Sequence, residues 1–311
     1  MEAVTDVVFR HVVERAGAPD VFFTEFANAT GWVHAGDRAI AGRLVKTDDE
    51  YPLVAQIWGG EPGDMEQFAQ HCARLGFAGI DINMGCPAKS AIKSGGAALI
   101  RNPDVAVAAI AAAKTAGLPV SVKTRLGYST VDEWRAWLTT LLQQNIVNLT
   151  IHLRTKKEMS KVAAHYELID DIVALRDAIA PQTLLTINGD IRDRAHGMAL
   201  VSAHPGVNGM MIGRGVFADP FCFAPHADDT VQSAGSLAQR NFALLRYHLD
   251  LFDHWQPQLG RPYETLKRFY KIYIRDFDGA KELRDQLMHT TSTDEARRII
   301  HQWHEAMSAS E

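Results

Sequence analysis

The chain holds only three cysteines in 311 residues, Cys72, Cys86 and Cys222, and no two of them form a CxxC pair. That scarcity excludes a disulfide framework and a cysteine-based zinc site, and it fits a protein kept reduced in the cytoplasm. Long apolar runs are missing as well: none reaches the roughly 18 residues that a membrane-spanning helix needs, and no signal-peptide pattern opens the sequence. An excess of positive charge is also absent, the formal net charge being -5. The molecule as a whole therefore does not attract nucleic acid, and any such partner depends on a local basic patch. Internal repeats and low-complexity tracts do not occur. A cytoplasmic monomer with no membrane partner is the expectation. What is present is ordinary globular material, 47% hydrophobic and 22% charged, long enough for one large core and an accessory domain.

From the start to about residue 215, short β-rich runs alternate with helical patterns. The runs are Val21 to Phe26, Leu53 to Trp58, Gly79 to Asn83, Val120 to Thr124, Asn148 to Leu153, Thr183 to Asn188 and Val207 to Ile212. Such alternation predicts parallel strands joined by crossover helices. Asn102-Pro103 pairs a capping residue with proline at the first helical position, and Gly117 closes that helix. Thr130 and Glu133 predict a capping box ahead of Trp134, Trp137, Leu138, Leu141 and Leu142, one buried face at helical spacing. Seven strands are one short of a closed barrel, and a helix, Val7 to Ala16, precedes the first of them. The expected fold is a (β/α)8 TIM barrel whose first strand is missing or truncated. Residues 218–236 then read as a linker rich in Pro, Asp, Ala and Ser. Beyond it come helical patterns only: Leu237 to Trp255, Pro262 to Phe277, Gly279 to His289, and a last helix opened by a Ser292-x-x-Glu295 capping box. The expected domains are a catalytic barrel over 1–223 and a C-terminal all-helical bundle over 236–311.

An apolar run, Gly79 to Ile82, leads into Asn83-Met84-Gly85-Cys86-Pro87, with Gly95 and Gly96 shortly after. This corner sets the Cys86 thiol where a strand becomes a loop, the place where chemistry collects in α/β proteins. Gly85 lets backbone approach a flat ligand, and Pro87 fixes the turn and removes a competing amide donor. A thiol held there serves as a nucleophile or a proton donor. A single cysteine is more commonly a small buried hydrophobe. Cys72 reads that way, on the apolar stripe Met65, Phe68, Ala69, Cys72 and Leu75, and so does Cys222 between Phe221 and Phe223.

Polar residues close nearly every predicted strand: Gln56, Asn83 with Cys86, Lys123 with Arg125, His152 with Arg154, Asn188-Gly189-Asp190, and Gly213-Arg214-Gly215. One such end means little, but six converging on one barrel face argue for a site. Gly213-Arg214-Gly215 offers backbone amides and a guanidinium where barrels commonly hold phosphate, and Asn188-Gly189 allows close backbone approach beside it. Gln56 matches the donor and acceptor edge of a heterocycle, and Lys123 brings positive charge to a ring that gains electrons. Together these suggest flavin mononucleotide (FMN). Residues Gly213 to Ala218 also match the loose G-x-G-x-x-G/A fingerprint. They follow the last strand instead of opening a βαβ unit, which rules out the Rossmann reading.

Basic residues gather twice. Arg154, Lys156, Lys157 and Lys161 form one group; Arg261, Lys267, Arg268, Lys271 and Arg275 interleave with Tyr263, Phe269, Tyr270 and Tyr273 in the other. Lys267, Lys271 and Arg275 recur every fourth residue and so are expected to share a helix face. A solvated face is the ordinary explanation. Against an acidic chain, a one-sided basic face suits a phosphate backbone.

In chain order, Met1-Glu2-Ala3-Val4-Thr5-Asp6 with Phe9-Arg10, Thr24-Glu25-Phe26, Asn83-Met84-Gly85-Cys86-Pro87, Val122-Lys123-Thr124-Arg125-Leu126-Gly127, His152-Leu153-Arg154-Thr155, Asn188-Gly189-Asp190-Ile191 and Met211-Ile212-Gly213-Arg214-Gly215 closely resemble the tRNA-dihydrouridine synthases. The likeness covers the whole barrel and weakens over the helical domain. Any one motif alone is weak; Asn-x-Gly-Cys-Pro with Val-Lys-x-Arg and His-x-Arg-Thr is highly specific. The resemblance implies an FMN-bearing (β/α)8 barrel and a helical domain that together clamp tRNA, with NAD(P)H as electron donor. It implies reduction of the uridine C5–C6 double bond to 5,6-dihydrouridine: hydride from reduced FMN to C6, and a proton from Cys86 to C5 on the opposite face. The uracil has to leave its stack to reach a barrel mouth. By the same resemblance, Gln56, Lys123, His152, Asn188, Gly189, Asp190, Gly213 and Arg214 hold FMN, with Met1 and Glu2 beside them. Asn83, Arg125 and Arg154 then face the uracil or its phosphate, and Lys267 and Lys271 of the basic face meet the tRNA. No metal is expected.

Family members usually carry Ala-Pro-Met-Glu-Gly at the end of the first strand, whereas this chain starts at the Met and has Ala3 for the Gly. The motif is cut where the strand count falls short, so the native protein is expected to begin upstream. This form is then expected to bind FMN poorly, because the first strand supplies backbone contacts to the flavin. Asp190 stands for a commoner Glu and Leu153 for a frequent Gly. Two other readings compete. One is an FMN barrel reducing a free pyrimidine, similar to the dihydroorotate dehydrogenases, which makes no use of the basic helical face. The other is a non-catalytic tRNA-binding relic.

Overall fold

All seven β-rich runs form strands in a computed structural model, which describes residues 1, 3–225 and 236–308. The first run is split off early: only Phe22–Phe23 of it is a strand, β1, and β2 (Ala27–Asn28) lies just past its end, both paired in parallel with β3 (Leu53–Trp58). The split has a local cause: the Thr24 hydroxyl takes the Gln56 N–H at 2.9 Å, so a side chain replaces a rung of the backbone ladder. β4 (Gly79–Asn83), β5 (Val120–Arg125), β6 (Asn148–His152), β7 (Leu184–Asn188) and β8 (Gly209–Met211) follow. The sheet order is β1-β3-β4-β5-β6-β7-β8, parallel throughout. Among the described residues no rung joins β8 to β1, so the barrel has an open seam where counting placed the absent strand.

Helices α1 (Val7–Gly17), α2 (Ala29–Ala35), α3 (Asp37–Ile40), α4 (Pro62–Arg74), α5 (Pro103–Lys114), α6 (Trp134–Leu142), α7 (Ile169–Ile179) and α8 (Arg194–Ala203) punctuate this order. Pro103 opens α5 as expected, but Asn102 does not cap it; its side chain turns back to Ala98 O at 3.0 Å. The capping box at Thr130 and Glu133 is present, and the Glu133 carboxylate accepts from the amides of Tyr128, Ser129 and Thr130 at 2.6, 3.0 and 3.0 Å. Trp134, Trp137, Leu138, Leu141 and Leu142 are buried behind it.

Register explains where the core sits. Residues opposite one another in a parallel ladder point the same way, and side chains alternate along each strand. Ile57 lies opposite Ile82, Ile82 opposite Val122, Val122 opposite Leu149, and Leu149 opposite Leu185. These all face the helices and belong to one apolar cluster with Met65, Phe68 and Cys72 of α4, Ile110 of α5 and Trp137 of α6. The other set is polar. Gln56 lies opposite Asp81, Asn83 opposite Lys123, Lys123 opposite Thr150, Thr150 opposite Thr186, and Arg125 opposite His152, which lies opposite Asn188. Parallel strands are usually apolar on both faces. A polar inner face therefore reserves the concave side for something other than packing.

The residues fall into two compact units, Met1–Asp6 with Asp20–Gly213 and Val7–Pro19 with Arg214–Glu311. These bounds differ from the expected 1–223 and 236–311: the first unit ends at Gly213, and α1 packs on α10 (Leu237–Leu259) within the second. The second unit is helical: besides α1 and α10 it holds α9 (Gly215–Ala218), α11 (Glu264–Lys267), α12 (Tyr270–Tyr273), α13 (Ala280–His289) and α14 (Thr293–Ser308). Its core includes a ring cluster of Phe9, Phe217, His248 and Phe269, in which burial pulls His248 down to about 3. Of the linker expected at 218–236, residues 226–235 lie outside the described residues.

The expected helix from Pro262 to Phe277 is not continuous, and this corrects the shared basic face. Phe269 N donates to Leu266 O and Ile272 N to Phe269 O, both at 2.9 Å. These bonds are one residue shorter than α-helical ones and break the run into α11 and α12. Lys267 lies over the Tyr263 ring and Lys271 over the Phe217 ring, while Arg275 pairs with Asp276 and the Ala218 carbonyl. In the box at α14, Ser292 caps the Glu295 amide at 3.2 Å, but the Glu295 carboxylate goes to Thr291.

Candidate active site

The Cys86 loop is built by β4 and fastened by β5. Asn83 Oδ1, at the end of β4, accepts from the amides of Gly85 (3.1 Å) and Cys86 (3.0 Å), curling the chain back on itself. Arg125 Nε donates to Gly85 O at 2.8 Å. On the other side Ala97 N donates to Cys86 O at 3.0 Å. Gly96 makes that approach possible: its φ is +55°, and a Cβ there would stand 2.9 Å from Cys86 O. The loop is thus held at both ends while Cys86 stays partly exposed. Cys72 and Cys222 are buried as expected, and burial pushes the Cys72 thiol up to about 12.

Lys123 sits in the middle of the polar face. Its ammonium donates to Asn188 Oδ1 at 3.3 Å, and Asn188 Nδ2 donates to Met211 O at 2.7 Å. Burial pulls Lys123 down to about 8, helped by the like charge of Arg125 and opposed by Asp81 and Cys86. Gln56 spends Nε2 on Asp81 (2.7 Å) and Oε1 on Asn83 (3.2 Å). Each end of that amide keeps one further hydrogen-bonding position for a ligand.

Two arginines expected to face a ligand are turned into the protein. Arg125 Nη1 donates to Thr155 O (3.0 Å) and Met159 O (2.9 Å). Arg154 is 2% exposed, with Nε on Val162 O at 2.7 Å, Nη1 3.1 Å from His152 Nε2, and an ion pair to Asp190. Both therefore anchor the loop that follows β6. Asp190 also accepts from Ala164 N at 3.0 Å. Gly189 is needed where it is: its φ is +122°, and a Cβ would come within 3.3 Å of His152 Cδ2. The Tyr166 hydroxyl donates to its carbonyl at 2.6 Å.

The remaining expected residues are placed as follows. Met1 O accepts from the amides of Val4 and Thr5, and Glu2 lies outside the described residues. Gly213 ends the barrel unit, whereas Arg214, Lys267 and Lys271 belong to the helical one. Sequence reasoning gave no role to Asp81, which lies buried on the polar face and accepts from Ser121 Oγ at 2.6 Å. Burial raises its pKa, against the bonds from Ser121 and Gln56 and the charge of Lys123. Asn148, Thr150 and Thr186 were missed too; they hydrogen-bond one another beneath the site. The period-two polar pattern along β4 to β7 was the signal that could have found them.

The donor set fits FMN. Among the described residues Lys123 offers an ammonium bonded to one acceptor, Gln56 and Asn188 offer amides, and a Cβ on Gly213 would meet nothing within 4 Å, which leaves room for a phosphate. Among the described residues no cluster of three metal-ligating side chains occurs, and no single helix is long and apolar enough to cross a membrane.

A parallel α/β barrel with a thiol, an ammonium and amides gathered at its strand C-termini belongs to the class of enzymes that work from that face. More narrowly, the chain belongs to the Dihydrouridine synthase (Dus) family, whose family model matches residues 1–309. It is 55% identical over 302 residues to "Probable tRNA-dihydrouridine synthase 2" of Bacillus subtilis (strain 168), covering 96% of this chain and 91% of the relative. It is 50% identical over 309 residues to "Probable tRNA-dihydrouridine synthase" of Staphylococcus aureus (strain Mu50 / ATCC 700699), covering 99% of this chain and 92% of the relative.

Proposed function

We propose that the chain is a flavin-dependent tRNA-dihydrouridine synthase, which reduces the C5–C6 double bond of uridines in tRNA with FMN as cofactor and NAD(P)H as electron donor. The names of its relatives support the reaction class. The observation that carries the mechanism is the Cys86 loop, fixed by Asn83 and Arg125 with the thiol side left partly open. When bound and reduced by NAD(P)H, FMN would supply the hydride that C6 of the uracil needs. Cys86 donates the proton to C5 and is left as a thiolate. Lys123 and Arg125 both attract negative charge on Cys86, so the product of that transfer is stabilised in place. Gln56, Lys123, His152, Asn188, Gly189 and Gly213 would hold the flavin, and Arg214 its phosphate. Arg125, Arg154 and Asp190 serve by fixing the walls, and Lys267 and Lys271 meet the tRNA backbone.

Replacing Cys86 by Ala tests the reading. The variant is expected to keep its flavin and its tRNA affinity while dihydrouridine formation falls at least about 100-fold, the lower end of the range for loss of a positioned acid. Unchanged turnover would remove Cys86 from the mechanism. Reduction of free uracil in preference to tRNA would favour the free-pyrimidine enzyme, and purified protein without a flavin absorbance spectrum the relic.

A further inference from the structure

We infer that Asp81 is a positioning residue for the Cys86 loop, acting through Gln56 and Asn83; this rests on Cys86 being the proton donor. Asp81 is 0% exposed on the inner face of β4. Its Oδ1 accepts from Ser121 Oγ at 2.6 Å and its Oδ2 from Gln56 Nε2 at 2.7 Å. An amide has a donor end and an acceptor end, and a carboxylate accepts only. With Nε2 committed to Asp81, Gln56 must turn Oε1 toward Asn83, whose Nδ2 donates to it at 3.2 Å. With Nδ2 committed in turn, Asn83 must present Oδ1 to the amides of Gly85 and Cys86, at 3.1 and 3.0 Å.

Each choice forces the next. If Gln56 were reversed, Oε1 would oppose the carboxylate and Nε2 would oppose the Asn83 amide nitrogen. Both contacts are repulsive, and Gln56, Asp81 and Asn83 are all buried, so water is not there to relieve them. If Asn83 were reversed, its Nδ2 would face two N–H groups and the loop could not close. The carboxylate of Asp81, two side chains removed from the thiol, therefore selects the loop geometry that carries Cys86. Among the described residues Asp81 makes no hydrogen bond to the thiol; it bonds Gln56 and its charge also acts on Lys123, so the alkylation rate of Cys86 is the readout that isolates its effect on the loop.

The test uses the flavin-loaded full chain with Asp81→Leu and Asp81→Asn. Three quantities are read: kcat, KM for tRNA, and the rate at which iodoacetamide alkylates Cys86, the other two cysteines being buried. Asp81→Leu is expected to lower kcat at least about 10-fold, leave KM within about 2-fold, and change the alkylation rate at least about 3-fold. Asp81→Asn keeps an acceptor for Gln56 and a donor for Ser121, and is expected to recover at least about half of both. A folded, flavin-loaded Asp81→Leu with unchanged kcat and alkylation overturns the inference, as does a loss of kcat with alkylation unaltered. If Asp81→Leu fails to fold, Gln56→Leu cuts the same chain one bond later; an unaltered alkylation rate there overturns it equally. Alkylation reports loop geometry whatever the reaction is, so a fully active Cys86→Ala would refute the proton-donor reading and leave this result standing.

Discussion

Lys123 shows how much a site can cost the fold that carries it. Its ammonium is pulled from 10.5 to about 8 by burial, a difference worth roughly 3 kcal/mol. The sign follows from proton binding. Below about pH 8 the folded chain carries the full cost of a buried charge. Between about 8 and 10.5 the unfolded chain holds more protons than the folded one, so stability rises with pH across that window. Lys123→Met is therefore expected to raise unfolding free energy at pH 7 by up to about 3 kcal/mol, a gain that fades between about pH 8 and 10.5, and to abolish activity. Urea unfolding at pH 7 and pH 10 checks it. A variant less stable at pH 7 would mean that the bond to Asn188 outweighs the desolvation. Lys123, Gln56 and Asn188 were legible in the sequence because each is a polar residue at an inward position toward the C-terminal end of a recognisable strand. The inward direction of Arg125 and Arg154 was not, since a guanidinium aimed at a ligand and one aimed at three carbonyls look alike in sequence.

The loop after β6 is the element on which those arginines converge, and it carries its own titrating clasp. His165 bridges Glu158 at 3.0 Å and Glu167 at 2.7 Å, and its backbone N–H is bonded to Leu153 O. Burial opposes its charge, but the hydrogen bonds and charges of the two carboxylates prevail and raise its pKa above 6.5. A raised histidine contributes stability that is complete below the unfolded value and is lost as pH rises through the folded one. The pair is largely solvent-accessible on the Glu167 side, so the contribution is small, about 0.5 kcal/mol. Amide exchange over residues 155–165, corrected for intrinsic rate, is expected to accelerate about 2-fold as pH rises through and above 6.5, and His165→Gln to abolish that dependence. An identical profile in the variant would place the hold on the loop with Arg125 and Arg154 alone. Among regular elements, the strands from β3 to β7 were read to within one residue at each end because their apolar face repeats every second position, whereas the first and last runs were read too long. The basic run at 262–277 was misread because a four-residue spacing of lysines looks helical even where hydrogen bonds to the third residue back interrupt the helix. Spacing records which side chains recur but not which backbone bonds form, and the buried Leu266, Phe269 and Tyr270 beside the lysines carry no mark of the break.

At the scale of the whole molecule, chain order and compact unit do not coincide. α1 comes first in the sequence, yet it belongs to the helical unit, where it packs on α10 and sends Phe9 among Phe217, His248 and Phe269. No local signal marks this, because an amphipathic helix in an α/β chain reads as one more barrel helix until its partner is known. The energetics make the helix more than a cover. Val8, Phe9, Val12 and Val13 are all buried, and four such side chains are worth on the order of 8 kcal/mol at about 2 kcal/mol each. That is comparable to the 5–15 kcal/mol that holds a small domain together. The segment 214–311 expressed alone is therefore expected to be poorly folded, with exposed aromatic surface where Phe9 belongs. Adding a peptide of residues 7–19 in trans is expected to raise its helicity and its thermal unfolding temperature in a concentration-dependent way, as mass action requires for a partner that binds only the folded form. Circular dichroism and a Phe9→Ala peptide as control read this directly. If 214–311 folds cooperatively by itself and ignores the peptide, α1 is an addition to that unit and not part of its core.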